Sequence, residues 1–358
     1  MSQNDPLVSV IILNYNGRDC LENCANSVLK TQYGNFEIIL VDNASTDGSI
    51  ERARDLFGNN QRLTILRSNL NLGFSGGNNL GFAHSKGVYV VFLNNDTVVD
   101  PYWLRALVDV MENEASIGIA QSLIFNIDGE TIQNGGWLFS NYLIRKHPLC
   151  ADYPSTLKLE AVFDVSFVCG AAMIIKREIL ETMGAFDPKA PFFYDDTLLT
   201  LKTRLVGKRA VTVSNSKIRH ISGATKVWKI RFTTYHLQKA NMLLMFDIYY
   251  KKTDLAKALL FNISHIASNL IFNVAKKNTA VIIGNAEALI WGLRNVRLLW
   301  ENRLNHWSKT TINPDSLKQA FIRVKLPSAF FLFASKLGDH YFTNAIQSYE
   351  KTVTRQKP

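Results

Sequence analysis

"VFLNNDTVVD", residues 91–100, carries an apolar run into Asn94, Asn95 and Asp96 and then turns apolar again. One carboxylate and two amides thus stand together at the tip of what reads as a β-strand. Two readings are open for such a tip. It is turn chemistry, since Asn and Asp bond their own backbone in tight turns. Or it holds a divalent cation and a phosphate, because Mg²⁺ and Mn²⁺ take hard oxygen donors and are usually completed by substrate phosphates. The segments around it bear on the choice.

Upstream, "VSVIILNYN" (8–16) and "FEIILVDNAST" (36–46) are continuous β-branched and apolar runs, the signature of strands buried on both faces. "RLTILRSN" (62–69), "YVVFLNND" (89–96) and "IGIAQSLIF" (117–125) read as three more strands. Between them, "CLENCANSVLKTQ" (20–32) places Leu21, Cys24 and Val28 on one helical face, and Ser45, Thr46 and Asp47 read as the start of a second helix. "PYWLRALVDVMEN" (101–113) opens a further helix with Pro in its first turn. Strands alternating with helices across short turns predict an α/β fold, a mainly parallel sheet with helices on both faces. In such sheets ligands bind beyond the carboxyl ends of the strands. Asn14, Asn16, Asp42, Asn69 and Asp96 all fall there. Asp42 stays open between contacting a ribose or base and capping the helix that follows.

"NLNLGFSGGNNLGFAHSKG" (69–87) joins the third and fourth strands with five glycines. Glycine permits tight turns and close backbone approach to a phosphate. The stretch from Gly76 reads as a helix N-terminus, which attracts anions; Asn71, Gly76 and Asn78 are therefore candidate donor-side residues.

"VSVIILNYNG", "ILVDNASTDGS", "NLNLGFSGGNNLG" and "VFLNNDTVVDPYWL", in this order and spacing, resemble the family 2 glycosyltransferases of the GT-A (Rossmann-like) fold. In appearance they are most similar to the rhamnosyltransferase-like subgroup that builds bacterial and archaeal surface glycans. The resemblance covers roughly residues 7–225. It implies that Asp42 contacts the nucleotide base and that Asn94-Asn95-Asp96 stands for the metal-binding DxD-like motif, with Asn in its first position. Asn14, Asn16, Asn71, Gly76, Asn78, Asn95 and Asp96 are then donor-side, and Cys169 and Gly170 in "FDVSFVCGAAMIIKREILETMGAFDP" (163–188) acceptor-side. "DDTLLTLKTRLVG" (195–207) is a helix opened by two acids and closed by glycine, which dipole and C-cap preferences alone explain. The resemblance assigns its Asp196 as general base, with Asp195 where the family has Glu and Leu198 in place of a third acid. It puts His220 near the diphosphate and metal. The cofactor implied is a divalent cation, Mg²⁺ or Mn²⁺, held by Asp96 and His220. The reaction implied is an inverting transfer from a nucleotide-sugar donor to a glycan or polyprenyl-linked acceptor.

The chain has 358 residues and a net charge of +10, distributed unevenly. Residues 226–358 contain 20 Lys and Arg against 7 Asp and Glu, so the whole positive excess lies in the last third. Two domains are expected, a catalytic one over 1–225 and a basic helical one over 226–358. "DLAKALLFNISHIASNLIFNVAKK" (254–277) and "TAVIIGNAEALIWGLRNVRLLWENR" (279–303) have apolar residues at helical spacing, basic ends and, in the second, Trp291 and Trp300. The first is too polar for a confident membrane span. Helices lying on an anionic membrane surface are one reading, a helical subdomain or homodimer interface the other. No nucleic-acid module is recognisable, so nucleic acid is not expected as a partner. A silent sugar-nucleotide binder is the alternative function. No basic region followed by an apolar core precedes the first strand, and the four cysteines have no metal-knuckle spacing. A cytoplasmic protein, peripheral on the inner face of the membrane, with reduced thiols is expected.

Overall fold

The computed structural model describes residues 5–139, 146–188, 194–221, 230–317, 320–321 and 334–354, with backbone alone at 146, 268 and 334–342. The expected boundary at 225/226 lies outside the described residues. The strands are β1 (Val8–Asn14), β2 (Phe36–Asp42), β3 (Leu63–Arg67), β4 (Tyr89–Asn94), β5 (Thr97–Val99), β6 (Ile117–Asn126), β7 (Ile132–Asn134), β8 (Trp137–Phe139), β9 (Lys146–Pro148), β10 (Val162–Asp164), β11 (Ala172–Lys176) and β12 (Arg209–His220). The first helices are α1 (Leu21–Leu29), α2 (Ser49–Phe57), α3 (Gly73–His84), α4 (Trp103–Asn113), α5 (Arg177–Met183) and α6 (Asp195–Leu205). The C-terminal third adds α7 (Ile230–Ile248), α8 (Lys252–Ala275), α9 (Thr279–Arg294), α10 (Val296–Ser308), α11 (Pro314–Leu317) and α12 (Ala334–Val353).

The five expected strands form, and the main sheet runs β10-β12-β6-β11-β4-β1-β2-β3. β3, β2, β1 and β4 are parallel neighbours, as are β6 and β12. β11 is antiparallel to both β4 and β6, a reversal that strand–helix alternation did not predict. It matters for the site, because the start of β11 is thereby brought to the edge where β4 ends.

Side chains alternate along a strand, so each strand feeds two cores. Val8, Val10 and Ile12 pack with Leu21, Cys24 and Val28 of α1, Ile50 of α2 and Trp103 and Leu107 of α4. Trp103 is fully buried and its indole N–H donates to Thr31 Oγ1 at 3.0 Å, so the large ring carries no orphan polar group. On the opposite face, Ile11, Ile39, Phe92 and Ile175 pack with Leu198 and Leu199 of α6 and with Leu243, Met245 and Phe246 of α7. The second core therefore runs without a break from the sheet into the C-terminal helices.

Several boundaries differ from the sequence reading. α3 starts at Gly73 rather than Gly76, because Gly73 takes a φ of +71° that turns the chain into the helix. α2 starts at Ser49, since residues 43–48 form a loop with Ala44 and Gly48 at positive φ. Pro101 sits in the turn before α4. The run 279–303 is two helices, divided at Asn295, whose amide caps back onto Trp291 O at 2.8 Å.

Candidate active site

Register sets the site. Asn14 pairs with Asp42 across β1–β2, and Leu13 pairs with Asn94's strand across β1–β4, so three polar strand ends lie side by side. Asn14 is fully buried at the centre. Its Nδ2 donates toward Ser49 Oγ (2.9 Å), Ser45 Oγ (3.1 Å) and Asp42 Oδ1 (3.3 Å), and its Oδ1 accepts from Asn95 Nδ2 at 2.8 Å. One amide thus ties the tips of β1, β2 and β4 together. Gly17 lies against that bond: a Cβ there would meet Asn14 Oδ1 and Asn95 Nδ2 at 2.3 Å. Asn16, at a φ of 51°, accepts from Thr46 N at 2.9 Å, joining the two strand-end loops.

Asp42 is fully buried. Its Oδ1 takes the weak contacts from Asn14 and from Ser45 N (3.4 Å). Its Oδ2 makes no hydrogen bond; Arg67 Nε lies 3.4 Å away. Arg67 also pairs with Glu51 at 3.0 Å. Asn71 accepts from Asn43 Nδ2 and Gly73 N, both at 2.9 Å, and so shapes the entry to α3. Asn78 is buried and donates to Phe74 O at 3.0 Å, inside its own helix, while Gly76 faces Leu72. Gly77 and Gly81 let α3 lie close on Leu13 and Ile11.

Asp96 follows β4 in the turn into β5, and β5 pairs with the end of β12 so that Thr97 faces His220. His220 Nε2 is 3.1 Å from Asp96 Oδ1, a buried oxygen that makes no hydrogen bond. The ring is oriented from behind. Gln133 Nε2 donates to the His220 carbonyl and to Asn126 Oδ1, both at 3.1 Å, which leaves Gln133 Oε1 to accept from Nδ1 at 2.7 Å. Nδ1 therefore carries the proton, and Nε2 is the nitrogen presented to Asp96. An orphaned buried carboxylate oxygen beside an oriented imidazole nitrogen suits a divalent cation that draws its other ligands from phosphate. Among the described residues no group of three or more His, Cys, Asp or Glu converges, so a cation here would find at most these two side chains and no complete cage.

The acid pair reaches the same edge by way of β11. Because that strand is antiparallel to β4, Ala171 O accepts from Asn94 N at 3.0 Å, and Cys169 and Gly170 directly precede this contact in the chain. Asp196 Oδ2 accepts from Gly170 N at 3.0 Å, and its Oδ1 from Thr197 N at 2.7 Å. Cys169 N is held by Gln121 Oε1 at 2.7 Å. Asp195 is bonded instead to the Ser75 hydroxyl on α3. Burial, and then the charge of Asp196, push its carboxyl up to about 7 against the pull of that hydroxyl. The two acids thus occupy different surroundings, Asp196 facing main-chain N–H groups and Asp195 sunk between two helices. Leu198, where the resemblance implies a third acid, is buried in the core.

Ser49, Ser75, Asn43 and Gln133 were not singled out in the sequence, and Ser45 only as the start of a helix. Nothing in their local pattern marks them; they act through contacts made across 28 or more residues. A cavity of about 740 Å³ lies elsewhere, lined by Asp164, Arg204, Arg209 and Tyr349 among others, and contains none of the strand-end residues. Its two arginines are already engaged, Arg204 by the Val165 and Ser166 carbonyls and Arg209 by Asp164 and Glu114.

A twisted α/β sheet with polar strand ends and an acid pair at one edge is the architecture of a GT-A glycosyltransferase domain, and solved structures of that fold superpose on it. The mannosyltransferase PcManGT from Pyrobaculum calidifontis, solved with GDP-Man and Mn²⁺, does so with a TM-score of 0.53 at 16% identity, over 98% of this chain and 86% of that one. Residues 9–184 match the model of glycosyl transferase family 2. An uncharacterized protein of Sinorhizobium fredii is 30% identical over 63% of this chain and 25% of its own length. The O-antigen biosynthesis protein RfbC of Myxococcus xanthus is 28% identical over 62% of this chain and 18% of its own. The chain spans less than two thirds of the first curated relatives it matches, 25%, 36% and 65% of their lengths.

Proposed function

We propose that this protein transfers a sugar, with inversion, from a nucleoside-diphospho-sugar to a hydroxyl of a glycan or lipid-linked glycan during surface-polysaccharide or glycoprotein-glycan assembly. Within family 2 we place it in the rhamnosyltransferase-like subgroup, on the motif order alone. The observation that carries the reading is that the Asp96–His220 pair, at the end of β4 and β12, and Asp196, bonded to Gly170 just before the reversed β11, lie toward the same end of the sheet.

In this reading Asp196 takes the proton of the acceptor hydroxyl, whose oxygen bonds to the anomeric carbon while the bond from that carbon to the diphosphate breaks. The nucleoside diphosphate leaves with the electron pair. General base catalysis of this kind contributes roughly 10²–10⁴-fold. Asp96 and His220 would hold Mg²⁺ or Mn²⁺, which when bound neutralises charge on the leaving diphosphate. Asp42, whose Oδ2 makes no hydrogen bond, Asn14, Asn16, Asn71 and Asn95 shape the nucleotide side, and Cys169 and Gly170 the acceptor side. Thermal stabilisation by UDP-, GDP- and dTDP-sugars with Mn²⁺ or Mg²⁺ tests the reading. One donor is expected to stabilise the protein and to release its diphosphate with an acceptor. Stabilisation by none of them, with no transfer, overturns it.

The same reading seats the protein on an anionic membrane surface, at the cytoplasmic face. On α8 the exposed residues Ala256, Leu260, Ile263, Ala267, Ile271 and Val274 recur every three or four positions and form one outward apolar stripe. Exposed Lys257, Lys276 and Lys277 flank it. α8 is long and apolar enough to cross a membrane, with a mean hydropathy of 1.4. The stripe, however, covers one face only, since Leu255, Ala258, Phe261 and Ile266 are buried on the other. Sedimentation with anionic but not neutral liposomes, reduced by salt, is expected. Absence of binding to both, with dimers in solution, would assign the stripe to a second copy of the chain.

A further inference from the structure

Tyr194 directly precedes the acid pair, and its side chain points away from them into the C-terminal helices. It caps α6, with Leu198 N donating to its carbonyl at 2.7 Å, and it is buried. Its hydroxyl donates to Asp247 Oδ2 on α7. Asp247 is 1% exposed, and a carboxylate so deep costs several kcal/mol unless it is compensated. On α10, His306 Nδ1 lies 3.1 Å from Asp247 Oδ1 with no hydrogen bond between them, and Trp307 Nε1 donates to the Asp247 main-chain carbonyl at 2.7 Å. One turn earlier, Arg303 spans the end of α7, donating to Phe246 O at 2.8 Å and to the carbonyls of Tyr249 and Tyr250. Three helices therefore meet at one buried carboxylate, and a single hydroxyl connects that junction to the residue before Asp195.

Hydrophobic packing alone would hold α7 and α10 on the core, and apolar side chains would do so at lower cost than a buried Asp–His pair. What the polar junction adds is direction. The Tyr194 hydroxyl has one acceptor at one position, which fixes the first turn of α6 and with it the places of the Asp195 and Asp196 carboxylates. A displacement of about 1 Å at a reacting group costs on the order of 10²-fold in rate. We propose that Asp247, tied to α10 by Trp307, lying beside His306 and acting through Tyr194, is a positioning residue for the acid pair, so that the C-terminal helices set the geometry of catalysis. The kinetic part of this rests on the glycosyltransferase reading; the structural part does not.

The test uses the full chain and the variants Tyr194→Phe, Asp247→Asn and His306→Gln. Backbone hydrogen exchange is read at 195–199, at α1 and at α10. Tyr194→Phe, which removes one oxygen, is expected to speed exchange at 195–199 at least tenfold while leaving α1 and α10 unchanged. Unchanged exchange at 195–199 overturns the proposal, whatever the protein's activity. With UDP, GDP or dTDP and Mn²⁺, binding is expected to stay within about threefold of wild type, because the nucleotide side lies on other elements. The rate of sugar transfer at saturating donor should fall at least tenfold in Tyr194→Phe and in Asp247→Asn. The double variant should be no worse than either, as two links of one chain. Losses that multiply, or that follow only the folded fraction, assign the junction to stability and overturn positioning. A wild type that binds no nucleoside diphosphate sinks the glycosyltransferase reading and leaves the exchange measurement to stand by itself.

Discussion

His220 Nε2 faces Asp96 Oδ1 at 3.1 Å, and the two residues come from elements more than a hundred positions apart in the chain. The contact exists because β5, three residues long, folds back on the end of β12. It leaves one carboxylate oxygen buried without a hydrogen bond. On the proposed function, Asp96→Ala weakens donor binding and removes most of its dependence on divalent cation. Titration calorimetry of the nucleoside diphosphate with and without Mn²⁺ reads this directly. Wild-type activity that survives EDTA unchanged would exclude the cation from this site.

Gln133 holds His220 at both Nδ1 and the main-chain carbonyl. Partners that orient a metal-binding histidine typically contribute 10–100-fold in metal affinity. Gln133→Leu should therefore raise the Mn²⁺ concentration needed for half-maximal donor binding by at least tenfold, with the fold unchanged by circular dichroism. An unaltered Mn²⁺ requirement would mean that His220 needs no orienting partner.

Gly17→Ala places a methyl where Asn14 Oδ1 and Asn95 Nδ2 already meet. Both belong to buried or half-buried amides, and Asn14 has other bonds to keep, so the Asn14–Asn95 bond should be the one to break. Loss of such a bond with a strained neighbour costs about 1–3 kcal/mol. Denaturant unfolding should show it as a lower midpoint at unchanged m-value. Donor affinity should fall as well, since the tip of β4 is no longer tied to β1.

Asp195 gives a pH signature. Its carboxyl titrates at about 7 in the folded chain because burial disfavours the charge, whereas an unfolded aspartate titrates at roughly 3.9. Between those values the folded state holds the extra proton. The contribution is thus present below about pH 4 and is lost as pH rises through 7. Asp195→Asn removes this slope. Its Tm should match wild type near pH 4 and exceed it by a few degrees above pH 7; equal Tm values at pH 8 would place the carboxyl in water.

Much of the architecture was legible in the sequence. The continuous β-branched runs at 8–14 and 36–42 could only be central strands, and the acids and asparagines that end them fell on one edge as expected. The reversal at β11 was not legible, because "AMIIK" has the same apolar composition whether it runs with or against β4. The start of α3 was misplaced by three residues because five glycines left several equivalent turning points, and Gly73 is the one at positive φ. Residues that act through long-range hydrogen bonds, Gln133 on His220 and Ser75 on Asp195, leave no local trace. The basic tail was visible as charge, but its burial against the sheet was not: Leu243 and Phe246 share a core with Ile175, so α7 packs into the same core as the sheet.

The assignment of roles to the acid pair is the centre of the account, and one comparison tests it. Nucleoside diphosphate release is measured at saturating donor and acceptor for wild type, Asp196→Asn and Asp195→Asn, with donor affinity determined for each. The account predicts that Asp196→Asn loses roughly 10²–10⁴-fold in rate at unchanged donor affinity, while Asp195→Asn keeps most of its activity. A crippled Asp195→Asn beside a nearly silent Asp196→Asn would contradict it and move the base to the carboxyl that Ser75 holds.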